Sequence, residues 1–207
     1  MVVDIILILL AGAVAAMATT IGEIAVLTMF YLSAPEGQEG RKKRRTIDTG
    51  YILGSIIGLL VSLVVAVILI QLPIERFLPW LGAIPIVIGL YYIFRPVADR
   101  GIYKAGKVMD KARSKLASLA LYTIVTLALC MDDLGVFVPL LAVMEPLEML
   151  AIVLVAIANL LFIVLLSRRI SNIASIKGHI DTLQQRVVPL LFILIGIYIY
   201  MKGVSGL

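Results

Sequence analysis

Asp132 and Asp133 stand side by side midway along an apolar stretch, Leu116 to Met144, that holds no other charge. An ionised carboxylate at the centre of a bilayer costs roughly 2.5 to 3.5 kcal/mol on insertion scales, so a pair placed there points to a cation that they jointly hold. Glu23 is the same anomaly in the first apolar stretch, being the only charge between Asp4 and Glu36. Neighbours on the same helices add ligands. Thr126, Cys130, Asp133 and Phe137 follow i, i+4, i+7, i+11 spacing, which lays hydroxyl, thiol and carboxylate along one helical face. Asp132 points about 100 degrees away, against a neighbouring helix. Pro139 offers no amide hydrogen to the carbonyl of Gly135, which is thereby able to face the site. Thr19 and Thr20 form the matching polar face beside Glu23, with Gly22 for close approach, and Asn159 is the only amide deep in the fifth span.

Oxygen donors alone suit calcium, magnesium or manganese, whereas the Cys130 sulfur, with Met17 and Met131 in the neighbouring sequence, shifts preference toward zinc or cadmium. The competing reading of Cys130 is a small packing residue, and that of the acids is a hydrogen-bonded polar group inside a helix bundle. Carboxylates crowded together at low dielectric repel one another, so a divalent cation arriving between them would displace protons. Cation out and protons in is the exchange this suggests. There is no G-x-x-x-x-G-K-[ST] segment, so ATP is not the direct energy source. An intramembrane aspartyl protease needs two aspartates facing each other from separate helices, and here they are adjacent. The chain is therefore expected not to be an enzyme and to need no resident cofactor.

The elements that must position these groups are membrane helices. Of 207 residues 62% are hydrophobic and the mean hydropathy is +1.11, far above the roughly 45 to 50% apolar content of soluble domains. Apolar runs at 5–32, 50–72, 77–94, 117–143, 149–166 and 187–201 predict six transmembrane helices in a single transmembrane domain, 1–207. All but Arg76 and Lys202 of the 18 basic residues fall between spans one and two, three and four, or five and six. Basic loops stay cytoplasmic, which puts the N-terminus and the C-terminus outside in a multi-pass protein of the plasma membrane. The same asymmetry accounts for the net charge of +5, so Arg41 to Arg45 is a topology anchor on anionic lipid and no nucleic-acid partner is expected. The first apolar run has no basic flank and about twice the length of a signal-peptide core, so cleavage is not expected. A lone cysteine excludes an internal disulfide and a dithiol carrier. Gly50, Gly54 and Gly58 form a small-residue stripe for close helix packing, with lining of a pathway through Ser55 and Ser62 as the alternative. Tyr91, Tyr92, Tyr198 and Tyr200 read as interface anchors, and Pro85 and Pro189 as related kinks. His179, beside Asp181, reads as a solvated loop residue, and Lys104, Lys107 and Lys111 share one face of a segment suited to the membrane surface.

Ile86 to Arg95, IVIGLYYIFR, reads almost like Ile193 to Lys202, ILIGIYIYMK, with Gly89 and Gly196 in register. A shift of about 110 residues also lays Thr19 to Phe30 over Leu129 to Leu140, superposing Glu23 on Asp133. Three spans per half cross in opposite directions, so the plan is a 3+3 inverted repeat: about 1–95, a cytoplasmic linker 95–116, and about 117–207. A homo-oligomer is compatible with it.

The segments Gly50 to Phe94, Cys130 to Leu141 (CMDDLGVFVPLL) and Pro189 to Tyr200 resemble the CadD-type cadmium-resistance transporters of the LysE exporter superfamily. The resemblance covers about residues 5 to 202, and its most specific element is the acidic motif with Gly135 and Pro139. It implies a six-helix plasma-membrane exporter of divalent cations, with acidic motifs in the first and fourth helices. Where that family tends to carry an acidic pair this chain has Gly22 and Glu23, and where it tends to carry Asp-Asn this chain has Asp132 and Asp133. The number of carboxyls is kept while their distribution shifts. Export of amino acids or other small solutes, known in the same superfamily, is the alternative that the resemblance leaves open.

Overall fold

The structure, a computed structural model, describes residues 2–32, 34–35, 37–73, 75–94, 114–171 and 177–205. The helices are α1 Val2–Leu32, α2 Gly37–Gln71, α3 Ala83–Phe94 preceded by a 3-10 segment Glu75–Gly82, α4 Lys115–Leu129, α5 Met131–Ala142, α6 Pro146–Ile170 and α7 Lys177–Ser205. No strand occurs among the described residues. Among the described residues five segments are long and apolar enough to cross a bilayer, and α4 with α5, bent by 54° at Cys130, makes a sixth if the pair is one span. Helix is the necessary conformation here, because hydrocarbon offers no partner for an open backbone amide or carbonyl. Ends are set locally. Ser114 caps α4 by accepting the Ala117 amide at 3.1 Å, and α6 starts at Pro146 inside a reciprocal Glu145–Glu148 capping box.

One sequence expectation is corrected here. Arg41 to Arg45, placed between spans, are helical: α2 has 35 residues, and at about 1.5 Å per residue it outruns a hydrocarbon core of about 30 Å, so its basic turns project beyond the apolar layer. Pro139 sits within α5, and the chain bends at Cys130, more than two helical turns earlier. The face of Lys104, Lys107 and Lys111 lies outside the described residues. So do the side chains of His179 and Asp181, though the backbone there belongs to α7 rather than to a loop.

The glycine stripe packs as its spacing predicts. A Cβ on Gly50, Gly54 or Gly58 would lie 2.5 Å from Tyr122, 2.7 Å from Thr126 and 2.9 Å from Cys130, so α2 rides directly on α4. A second close contact joins α3 to α7, and it is reciprocal. Gly89 abuts the Pro189 carbonyl and the Ile193 side chain, while Gly196 abuts the Gly82 carbonyl and the Ile86 side chain. Each contact becomes the other when 107 is added to α3 numbers or subtracted from α7 numbers, so a local two-fold axis passes between these helices.

The apolar interior is divided into two layers. One holds Ile8, Ala15, Ile21, Leu63, Ala66, Val136, Leu140, Ile152 and the inward face of α7 from Val188 to Ile199; the other holds Ile24, Leu27, Tyr31, Ile47, Tyr51, Tyr122, Leu129, Leu160 and Ile163. On α1 the change falls between Ile21 and Ile24, on α2 between Ile52 and Leu63, across the bend between Leu129 and Val136, and on α6 between Ala156 and Leu160. Those four intervals contain Glu23, Ser55, Asp133 and Asn159. Polar groups thus form one stratum between two apolar ones.

Candidate metal site

The bend at Cys130 puts Asp132 and Asp133 in the first turn of α5, a helix N-terminus inside the membrane. Unpaired amides and the helix dipole favour negative charge at that end, which offsets part of the cost of carboxylates at this depth. Side-chain ligand atoms of Glu23, Cys130 and Asp133 all lie within 4.8 Å of one another. That separation lets a single ion bridge them after small rotamer adjustments. The sequence brought Glu23 and Asp133 to one level, and the structure brings them to one point.

A cavity of about 40 Å³ opens beside them. Thr19 and Glu23 of α1, Tyr51, Ser55, Leu59 and Ser62 of α2, Asp133 and Phe137 of α5, and Asn159 of α6 line it. The volume suits an ion with one or two waters, since a water requires roughly 10 to 15 Å³ by the same measure. Tyr51 donates its hydroxyl hydrogen to Glu23 Oε2 at 3.0 Å. Thr19 and Cys130 both lie within hydrogen-bonding reach of Asp133. Cys130 is 1% exposed and stands behind Asp133 rather than on the cavity wall. Ser55 Oγ is buried with no well-aligned hydrogen bond, although Tyr51 and Cys130 flank it.

The remaining expected residues are placed as follows. Asp132 turns to α3, where the Tyr92 hydroxyl donates to it, and Tyr92 in turn packs edge-on against Phe192 at 5.5 Å. It does not line the cavity. Tyr92 is 3% exposed, so it is not the interface anchor it resembled; Tyr91 and Tyr200 do face outward. Thr20 donates to the Ala16 carbonyl at 2.6 Å and accepts from Asn159 Nδ2 at 2.9 Å. Asn159 Oδ1 also lies 3.1 Å from the Thr20 hydroxyl, so the whole amide is oriented by Thr20 at the cavity wall. Met17 and Met131 are mostly exposed to the outside of the bundle, leaving Cys130 as the sulfur near the carboxylates.

Sequence reasoning missed Tyr51, and gave Ser55 and Ser62 only the secondary role. Their signal was available. Tyr51, Ser55, Leu59 and Ser62 repeat at i, i+4, i+8, i+11, and the first three sit one residue after each glycine of the packing stripe, so the face next to the α4 contact had to meet the acids.

Comparison with curated proteins and with solved structures gave no match. The sequence profile described as cadmium resistance transporter matches residues 16–205, which include every residue of the cavity. A membrane bundle with carboxylates gathered at mid-depth fits that description, and the chain belongs to the cadmium resistance transporter family.

Proposed function

We propose that this protein is a secondary exporter of divalent metal cations across the plasma membrane, exchanging them for protons at a site built on Glu23 and Asp133. The observation that carries the proposal is the convergence of Glu23, Cys130 and Asp133 from two separate spans on one point between two apolar layers. Thr19, Ser55 and Asn159 supply neutral oxygens, and Asp132 and Thr20 support the site from behind through Tyr92 and Asn159. Two carboxylates and a nearby thiol match cadmium or zinc better than magnesium, which demands an octahedron of hard ligands. Cation binding neutralises the acids and displaces their protons. After release on the far side the acids recover protons, which return the empty carrier.

The reciprocal α3–α7 contact supports reading the chain as two inverted halves that rock about the site. The basic turns of α2 support placing both termini outside, with the other basic segments facing the cytoplasm. A cavity of about 40 Å³ favours an ion over an amino acid, whose side chain and backbone would need several times that space. The test is cadmium-109 and zinc-65 flux in inverted vesicles with a proton gradient imposed. Glu23→Gln and Asp133→Asn are each expected to abolish flux while the protein remains folded; unchanged flux in both would reject the site.

A further inference from the structure

Asp48 takes no part in the metal site, yet it is 6% exposed and joins three helices. Tyr31 of α1 donates its hydroxyl hydrogen to the carboxylate, and Arg168 of α6 donates to both carboxylate oxygens, through Nε at 3.3 Å and through a terminal nitrogen. Each member of this network lies farther along a helix that also lines the cavity. Tyr31 is eight residues past Glu23, Asp48 seven before Ser55, and Arg168 nine past Asn159. At about 1.5 Å per residue the network lies roughly 10 to 14 Å from the cavity, on the side that carries Arg41 to Arg45.

Between network and cavity two buried hydroxyls, Thr28 Oγ1 and Ser167 Oγ, have no hydrogen-bond partner. They lie at one height. Gly12 of α1 meets Ile152 and Val155 of α6, and Thr20 pairs with Asn159, so the two helices run parallel; eight residues further the same register puts Thr28 and Ser167 at the same level. A buried hydroxyl left unpaired is unfavourable, and neither of these two has a partner among the described residues. As oxygen donors to a cation in transit they have a use.

We propose that Tyr31, Asp48 and Arg168 form the gate on the basic side of the bundle, and that Thr28 and Ser167 line the passage it closes. The inference rests on the cation-transport reading above. Taking one partner from a buried ion pair is strongly unfavourable unless another charge replaces it. The Arg168 side chain is 46% exposed and can swing toward solvent, leaving Asp48 to a cation arriving from that side. Guanidinium and cation then compete for one carboxylate, so the gate opens in response to its cargo. The ion pair at the other end, Lys202 to Glu148 at 2.9 Å, joins α7 to α6 and serves as the control.

The experiment is thiol labelling in the full-length protein, with Ser167→Cys as reporter in a Cys130→Ala background and a membrane-impermeant maleimide added to one side at a time. Asp48→Asn or Arg168→Gln is expected to speed labelling roughly tenfold from the basic side only, as a shifted open population would. Tyr31→Phe, which keeps the buried ring, is expected to give about a threefold rise and guards against misfolding of the stronger variants. Lys202→Gln should leave the rate unchanged. Equal acceleration from both sides, or none in any gate variant, overturns the gate. Metal flux is read separately in protein with Cys130 intact: a labelling response without flux removes the cargo and leaves the gate, whereas flux with unresponsive labelling removes the gate alone.

Discussion

Glu23 and Asp133 are close enough to repel one another, and what makes them tolerable is the company each keeps. Tyr51 supplies a hydrogen bond to Glu23, and the start of α5 supplies backbone polarity to Asp133. Removing such an orienting partner typically weakens metal binding by about 10 to 100-fold, so Tyr51→Phe is expected to lower cadmium affinity by roughly tenfold in titration calorimetry. Asp132 offers a sharper contrast. Its tie to Tyr92 survives in Asp132→Asn because an amide oxygen still accepts, so this variant is expected to keep most metal binding while Asp133→Asn loses it. Equal losses would mean that Asp132 reaches the ion. The shifted acidic pattern gives a further expectation: Gly22→Asp combined with Asp133→Asn should restore flux that Asp133→Asn alone abolishes. The three acids were legible in the sequence because a lone charge in an apolar run has few explanations. Tyr51 and Ser55 were not, since a tyrosine or serine in such a helix is unremarkable until its partner across the interface is known.

At the scale of elements, the glycine stripe and the paired segments around Gly89 and Gly196 could be read directly, because small residues at fixed spacing have one mechanical use. Gly54→Val would drive a branched side chain into Thr126 and the Thr123 carbonyl. Overpacking of this kind costs about 1 to 3 kcal/mol, which should appear as a lowered unfolding temperature in detergent. An unchanged midpoint would show that α2 and α4 are able to separate without cost. The break at Cys130 could not be read. Proline marks the place where an amide is missing, but the bend falls where the chain passes from α4 to α5, both of which pack along α2, and that is decided by partners distant in sequence. The basic run was misplaced for a related reason. Nothing in Arg41 to Thr49 breaks a helix, yet charge alone had suggested a loop.

For the whole molecule, five or six spans follow from hydropathy, while the layered interior follows only from how the helices interlock. A polar stratum lies between two apolar layers, and an ion pair spans each end of the bundle. If the halves rock as proposed, only one apolar layer parts at a time. A cysteine placed at Leu27 is then expected to react from the basic side only, and one at Leu140 from the opposite side only. Reaction of either from both sides would point to an open channel instead.

Those two apolar strata also bear on the energetics of the host cell. If only one apolar layer parts at a time, no file of water runs from face to face, and the resting protein is expected not to short-circuit the proton-motive force, however abundantly it is produced. Proteoliposomes holding it without metal should therefore retain an imposed pH difference as well as empty vesicles do. Under the exchange proposed above, dissipation would begin only when cargo is supplied, and detoxification would draw on the gradient only when there is metal to expel.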